Sequence, residues 1–185
     1  MDISNACSAG RHGQASSHEN HCDSMTWCHK FYLGTDLSQQ REREMETIRI
    51  GGLTLEFLEN KEETAGGLDL FRMTVQPNAR VPVPHYHQNW DETVYGLSGV
   101  LTFRVDAKDR PVEPGHSLHI PRGAVHWFVN ETQEPATCLC VLTPGVLGPG
   151  YFREMAEALN AGPPDPVVLK EIMTRHGLVP VPMPG

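Results

Sequence analysis

The sequence predicts an all-β domain, a sandwich or closed barrel, with a polar arm before it and two helices after it. Three observations predict this. Between Thr47 and Thr143, short alternating apolar runs recur at roughly 8–12-residue spacings and are punctuated by Gly and Pro. Before them, Ser, Asn, Gly, His and Gln dominate, ending in the charged run Arg41-Glu42-Arg43-Glu44. After Pro144 the apolar period changes from that of a strand to that of a helix. The expected division is an arm over 1–46, a barrel over 47–145, and helices with a tail over 146–185.

The arm carries His12, His18, His21, Cys22, Cys28 and His29. The step from Cys22 to Cys28 is wider than knuckle spacing and no second cysteine pair follows, so the arm is read as a tail without a dedicated metal site. Met25-Thr26-Trp27 and Phe31-Tyr32-Leu33 are apolar enough to pack on the barrel or on a partner subunit.

From Thr47 the pattern is β. Ile48 and Ile50 alternate, Gly51-Gly52 turns the chain, and Leu53, Leu55 and Phe57 alternate again. Leu68 to Val75 is the next strand, closed by a turn at Pro77-Asn78. Pro82 and Pro84 flank Val83, and proline removes ladder donors, so the segment entering His85 is expected to be an edge or a bulge. Thr93 to Val105 reads as two strands linked near Gly96 and Gly99. Asp106-Ala107-Lys108-Asp109 reads as an exposed turn. Ser117–Ile120, Val125–Val129 and Ala136–Thr143 complete the set. Beyond Pro144, Phe152, Met155, Ala156 and Leu159 define an amphipathic helix over Tyr151–Asn160. Asp165 caps a second helix with Pro166 at its first position, Leu169, Ile172 and Met173 on its apolar face, and Gly177 at its end. The helices are expected mainly to complete the core, with covering the barrel mouth as the other reading. The Pro-rich tail from Leu178 is expected to be extended.

Composition narrows the function. At 185 residues with 39% hydrophobic content, the chain supports one core and not two. A net charge of −8 disfavours nucleic acid or an anionic membrane as a partner. There is no apolar run of membrane-spanning length and no signal-like N-terminus, and five irregularly spaced cysteines suit reduced thiols, so a cytoplasmic protein is expected.

The chemistry is concentrated between Pro84 and Asn130. On a strand, His85 and His87 project to one face. Glu92 follows past a bend, and His126 arrives from a separate segment. Paired histidines with a nearby glutamate also occur by chance in ordinary cores. As a set, imidazoles and a carboxylate suit iron, manganese, nickel, cobalt, copper or zinc.

The two segments together resemble the cupin superfamily. The first fits H-x-H-x-x-x-x-E-x-x-x-x-x-x-G at His85, His87, Glu92 and Gly99. The second fits G-x-x-x-x-x-P-x-G-x-x-H-x-x-x-N at Gly115, Pro121, Gly123, His126 and Asn130. One departure is Ala79, where the family usually has Gly. The resemblance covers roughly residues 48–145. It implies a small jelly-roll β-barrel with one divalent metal in its mouth, ligated by His85, His87, Glu92 and His126, and often a homodimer formed through a sheet face.

Beside that set, Phe128 and Val94 are expected to line a substrate pocket, and Trp90 to stack on a substrate. Asn130 is expected to satisfy loop backbone groups. Cys138 and Cys140 read as small buried residues, and His116 and His119 as surface or turn residues. Three histidines and a carboxylate leave coordination positions open, as catalytic sites do. The sequence is similar to cupin dioxygenases, including quercetinase-like members. The expected function is therefore a metal-dependent dioxygenase acting on a small oxygen-rich molecule, with Glu92 also available as a base. The competing readings are a metal-dependent isomerase or decarboxylase, and a small-molecule-binding protein without catalysis.

Overall fold

The computed structural model describes residues 45–80, 83–163 and 165–182. The arm's Cys/His cluster, its apolar pieces Met25–Trp27 and Phe31–Leu33, and Pro82 lie outside the described residues.

Among the described residues, eleven strands form two antiparallel sheets. In chain order they are β1 (Thr47–Ile50), β2 (Leu53–Glu59), β3 (Asp69–Val75), β4 (His85–His87), β5 (Asp91–Ser98), β6 (Leu101–Val105), β7 (Lys108–Val112), β8 (Ser117–Ile120), β9 (His126–Val129), β10 (Ala136–Thr143) and β11 (Leu178–Pro180). The helices α1 (Gly148–Asn160) and α2 (Pro166–Arg175) precede β11. One sheet runs β1-β2-β3-β10-β5-β8 and the other β11-β4-β9-β6-β7. Alternation decides what lies between them. On β3, Phe71, Met73 and Val75 are buried, and on β10, Ala136, Cys138, Cys140 and Leu142 are buried. Leu55, Val94, Leu101, Phe103 and Ile120 fill the middle and are at most 2% exposed. Each such side chain contributes about 1.5–3 kcal/mol relative to exposure.

Several expectations change. The Asp106–Asp109 turn shrinks to Asp106 and Ala107, both at positive φ (47° and 63°), and a new edge strand, β7, begins at Lys108. Two consecutive positive φ values suit a two-residue hairpin, but no Asn-Gly or Asp-Gly pair marks it along the chain. β7 hides because only Val112 is buried, so no alternation exists to read. The proline segment entering His85 lies partly outside the described residues, and β4 after it lies inside its sheet, because the tail folds back as β11 and pairs Leu178 with His87, Val179 with Tyr86 and Pro180 with His85. α1 begins at Gly148, one turn before the expected start, and ends at Asn160 as expected. For α2, the Asp165 side chain accepts a hydrogen bond from the Val167 N–H at 2.8 Å, and Gly177 follows at φ 82°.

Candidate metal centre

Three strands and one turn build the site. β4 and β9 pair antiparallel so that His85 stands directly opposite His126. His87, two residues along β4, shares their face. The three rings gather closely: His85 and His126 centroids are 4.7 Å apart, as are His87 and His126. One nitrogen from each lies within 4.8 Å of the others, and all three residues are buried. Glu92 reaches in from β5 in the other sheet. Its Oε2 is 3.4 Å from His126 Nε2 and 3.9 Å from His87 Nε2. The three nitrogens are thus the tight set, with the carboxylate beside two of them.

Local bonds aim the rings. His85 Nδ1 is 3.0 Å from the Val83 carbonyl, and His126 Nδ1 is 3.0 Å from the Ala124 carbonyl. A carbonyl only accepts, so Nδ1 carries a proton in both rings; the neutral His85 keeps its Nε2 lone pair for the centre, and His126 frees its own once the Nε2 proton facing Glu92 is displaced. Carbonyl-backed imidazoles of this kind are the usual support for a metal-ligating histidine. The third ring, His87, lies against Trp90 with centroids 4.5 Å apart and planes 21° apart. The turn carrying His126 is tied to the strand carrying Glu92 through Asp91. Its Oδ1 accepts from the Arg122 N–H at 2.8 Å and from Nε at 3.0 Å, and its Oδ2 accepts from an Arg122 terminal N–H at 3.0 Å. Gly123, at φ 83°, lets the turn close. Asn130 is wholly buried and does what was expected of it. Its amide N–H groups donate to the Val75 and Glu134 carbonyls at 2.9 and 2.8 Å, and its Oδ1 accepts from the Thr132 N–H and hydroxyl.

The electrostatics suit a cation. Burial pushes His85 down to about 4 and His87 to about 3, so both are neutral at neutral pH. Burial also pushes His126 down, but its hydrogen bond to Glu92 and that group's charge outweigh burial and raise it. Glu92 is driven up by burial, and the His126 hydrogen bond together with the neighbouring imidazoles brings it below the ordinary carboxylate value. A buried anion facing two neutral imidazoles and a third whose affinity for a proton it raises is a donor set that fits a divalent metal, which would compete with that proton.

The site opens on a chamber of about 80 Å³ with a mostly apolar lining. Phe128 is among its lining residues. Val94 and Trp90 are not among its lining residues, and the expectation for both is corrected. Val94 shares the inward face of Glu92, but it is wholly buried in the core. Trp90 is 1% exposed and stacks on His87, so its ring has no face left for a substrate. Cys138 and Cys140 are buried with their sulfurs 3.8 Å apart. His119 Nδ1 is 3.1 Å from the Thr93 hydroxyl in an exposed hydrogen bond, outside the site.

Other lining residues were not anticipated. Phe71 and Met73 come from β3, and Tyr151 and Phe152 from α1. The inward parity of β3 was a usable signal for the first pair. Nothing local marks the second. α1 is fixed by Asp69, whose Oδ2 accepts from the Leu147 and Gly148 N–H groups at 3.1 Å each and whose Oδ1 accepts from the Lys61 N–H at 2.7 Å. The helix therefore walls the site as well as completing the core.

With this geometry in place, comparison with known proteins is informative. Residues 71–142 match the cupin domain family model. The chain carries a cupin domain. Within and around that domain it is 33% identical over 75 residues to quercetin 2,3-dioxygenase of Bacillus subtilis (strain 168), covering 40% of this chain and 22% of that protein. It is 32% identical over 123 residues to germin-like protein 5-1 of Oryza sativa subsp. japonica, covering 61% of this chain and 51% of that one. The chain thus spans about half or less of the length of these relatives. Among solved structures, the cupin domain is similar to a sugar phosphate isomerase from Silicibacter pomeroyi DSS-3, at 30% identity and a TM-score of 0.45 over 51% of this chain and 60% of that one. Among the described residues, no helix is long and apolar enough to cross a membrane.

Proposed function

We propose that this protein is a metal-dependent oxidoreductase of dioxygenase type that acts on a small oxygen-rich organic molecule. The observation that carries this reading is the convergence of three buried imidazoles and a buried carboxylate on one small apolar chamber. His85, His87, His126 and Glu92 would hold one divalent ion of iron, manganese, nickel, cobalt, copper or zinc. A redox-active ion there would supply Lewis acidity and electron transfer between substrate and dioxygen. The chain's own residues do the rest. Phe71, Phe103 and Phe128 exclude water and hold an apolar group. Glu92 Oε2 stands within reach of His126 Nε2 and can take a proton from a bound substrate or return one. The likeness to quercetin 2,3-dioxygenase supports the oxidative reading over the part of the domain it covers.

The Glu92–His126 pair favours one alternative. The carboxylate and imidazole face each other at 3.4 Å and could pass a proton between substrate and protein without redox change, which suits a metal-dependent isomerase or decarboxylase. One experiment separates the two. Protein stripped of metal is reloaded with each redox-active ion in turn and, separately, with zinc, and dioxygen uptake is followed with small diketones and a flavonol. Uptake with at least one redox ion and none with zinc supports the dioxygenase. A zinc form that consumes dioxygen equally fast would exclude it. Turnover that is independent of dioxygen would establish the alternative.

A further inference from the structure

A second chamber, of about 360 Å³, lies between the β1–β2 hairpin and α1. Its lining is apolar, with Ile50, Met155 and Leu159 among the contributors, except for one cation, Arg80. Arg80 is exposed and has no ion pair with any described residue. A guanidinium with no ion pair among the described residues, on the rim of an apolar chamber, matches an apolar body that ends in a carboxylate.

The two chambers share walls. Leu53, Tyr151 and Phe152 line both. Tyr151 is 8% exposed, and its hydroxyl has no hydrogen-bond partner among the described residues. The side chain lines both chambers, and its unpaired hydroxyl is open to a ligand that runs between them.

Size decides how the chambers are used. The histidine chamber, at about 80 Å³, is smaller than the ~150 Å³ cavity that admits benzene, and far below the ~300–1,000 Å³ of ordinary ligand pockets. It has room for a reacting group and not for a whole organic substrate. We propose that the two chambers form one substrate site, in which the second takes the apolar body and far carboxylate of an amphipathic acid whose other end reacts at the histidines. This rests on the reading that the histidine chamber is where reaction occurs. The carboxylate pairs with Arg80, the Tyr151 hydroxyl donates to an oxygen along the chain, and the Tyr151 and Phe152 rings turn aside to let the molecule through.

Decanoate is the probe, with decan-1-ol as its uncharged counterpart. Binding to the full-length, metal-free protein is measured by calorimetry. Decanoate is expected to bind at least tenfold more tightly than decan-1-ol, Arg80→Gln to abolish that difference, and Met155→Trp, which fills the chamber, to remove both ligands. Equal affinity for acid and alcohol, or an Arg80→Gln protein that binds decanoate as wild type does, would overturn the proposal. So would no binding at all, since the chamber would then belong to another part of the chain or to a second copy. In manganese-loaded protein, paramagnetic broadening of bound decanoate should increase from its carboxylate to its methyl end. Uniform or reversed broadening would refute the shared site. Failure of manganese to load at the histidines would instead count against the proposed function and leave the calorimetric result standing.

Discussion

His126 occupies two roles at once: its Nδ1 is fixed by a carbonyl behind it, and its Nε2 faces both Glu92 and the opposed His85. Replacing it with Ala removes one of three converging nitrogens. Metal content after reconstitution is expected to fall at least tenfold, as it should for His87→Ala, and one metal per chain in both variants would contradict the assigned set. Protonation gives a second handle. His85 and His87 have folded values near 4 and 3, against an ordinary 6.5. Unfolded, they take up protons below pH 6.5, while folded they resist. Their contribution is therefore present above 6.5 and is lost as pH falls through 4 and then 3. His126 works in the opposite sense. Its raised value adds stability below 6.5 that fades as pH rises through that value. With two groups against one, the metal-free protein should lose stability on acidification across this window. Urea midpoints measured between about pH 7 and about pH 4 would show the fall, and a flat series would contradict it. The same protons compete with metal, so occupancy should decline over the same range.

Among the elements, α1 depends most on a single distant side chain. Its own N-cap residue, Leu147, offers no side-chain acceptor, and Asp69 on β3 supplies one instead. Asp69→Ala leaves three backbone N–H groups without their acceptor, at about 1 kcal/mol or more each, so a loss of roughly 3 kcal/mol is expected in urea unfolding. Amide exchange should quicken in α1 before it does in β3 and β10. Unchanged exchange in α1 would mean that packing alone seats the helix. Asp69 also shows where reading the sequence stops. The strand around it was legible because Phe71, Met73 and Val75 alternate, but a buried carboxylate that caps a helix many residues away has no local signature. The ligand residues were legible for the opposite reason, since spacing along two strands fixes which side chains share a face. Trp90 was misplaced because sequence order put it near the site without revealing that His87 would cover its ring. β7 escaped because an edge strand exposed at four of its five positions carries no period.

At the scale of the whole molecule, the six-stranded sheet offers a surface. Tyr95 and Leu97 on β5 are 43% and 44% exposed. Such residues invite a partner, and we propose a homodimer through this face. Light scattering at micromolar concentration should give twice the chain mass, and Tyr95→Lys with Leu97→Lys should return the monomer. A single-chain mass for the unmodified protein would dismiss the dimer.

β4 has a further consequence. It holds two of the three imidazoles in only three residues. It meets β9 at a single register pair and β11 at three. Most of its sheet bonding thus comes from a strand that follows every other described element. During synthesis the chain emerges in order, so β4 waits with one edge open until Leu178–Pro180 has cleared the ribosome. Metal capture should therefore wait on β11: nascent chains stalled with Leu178 still unmade should retain far less metal than chains in which Leu178–Pro180 has emerged and paired with β4. A chain lacking β11 would then be spared from sequestering a scarce ion in an unfinished site.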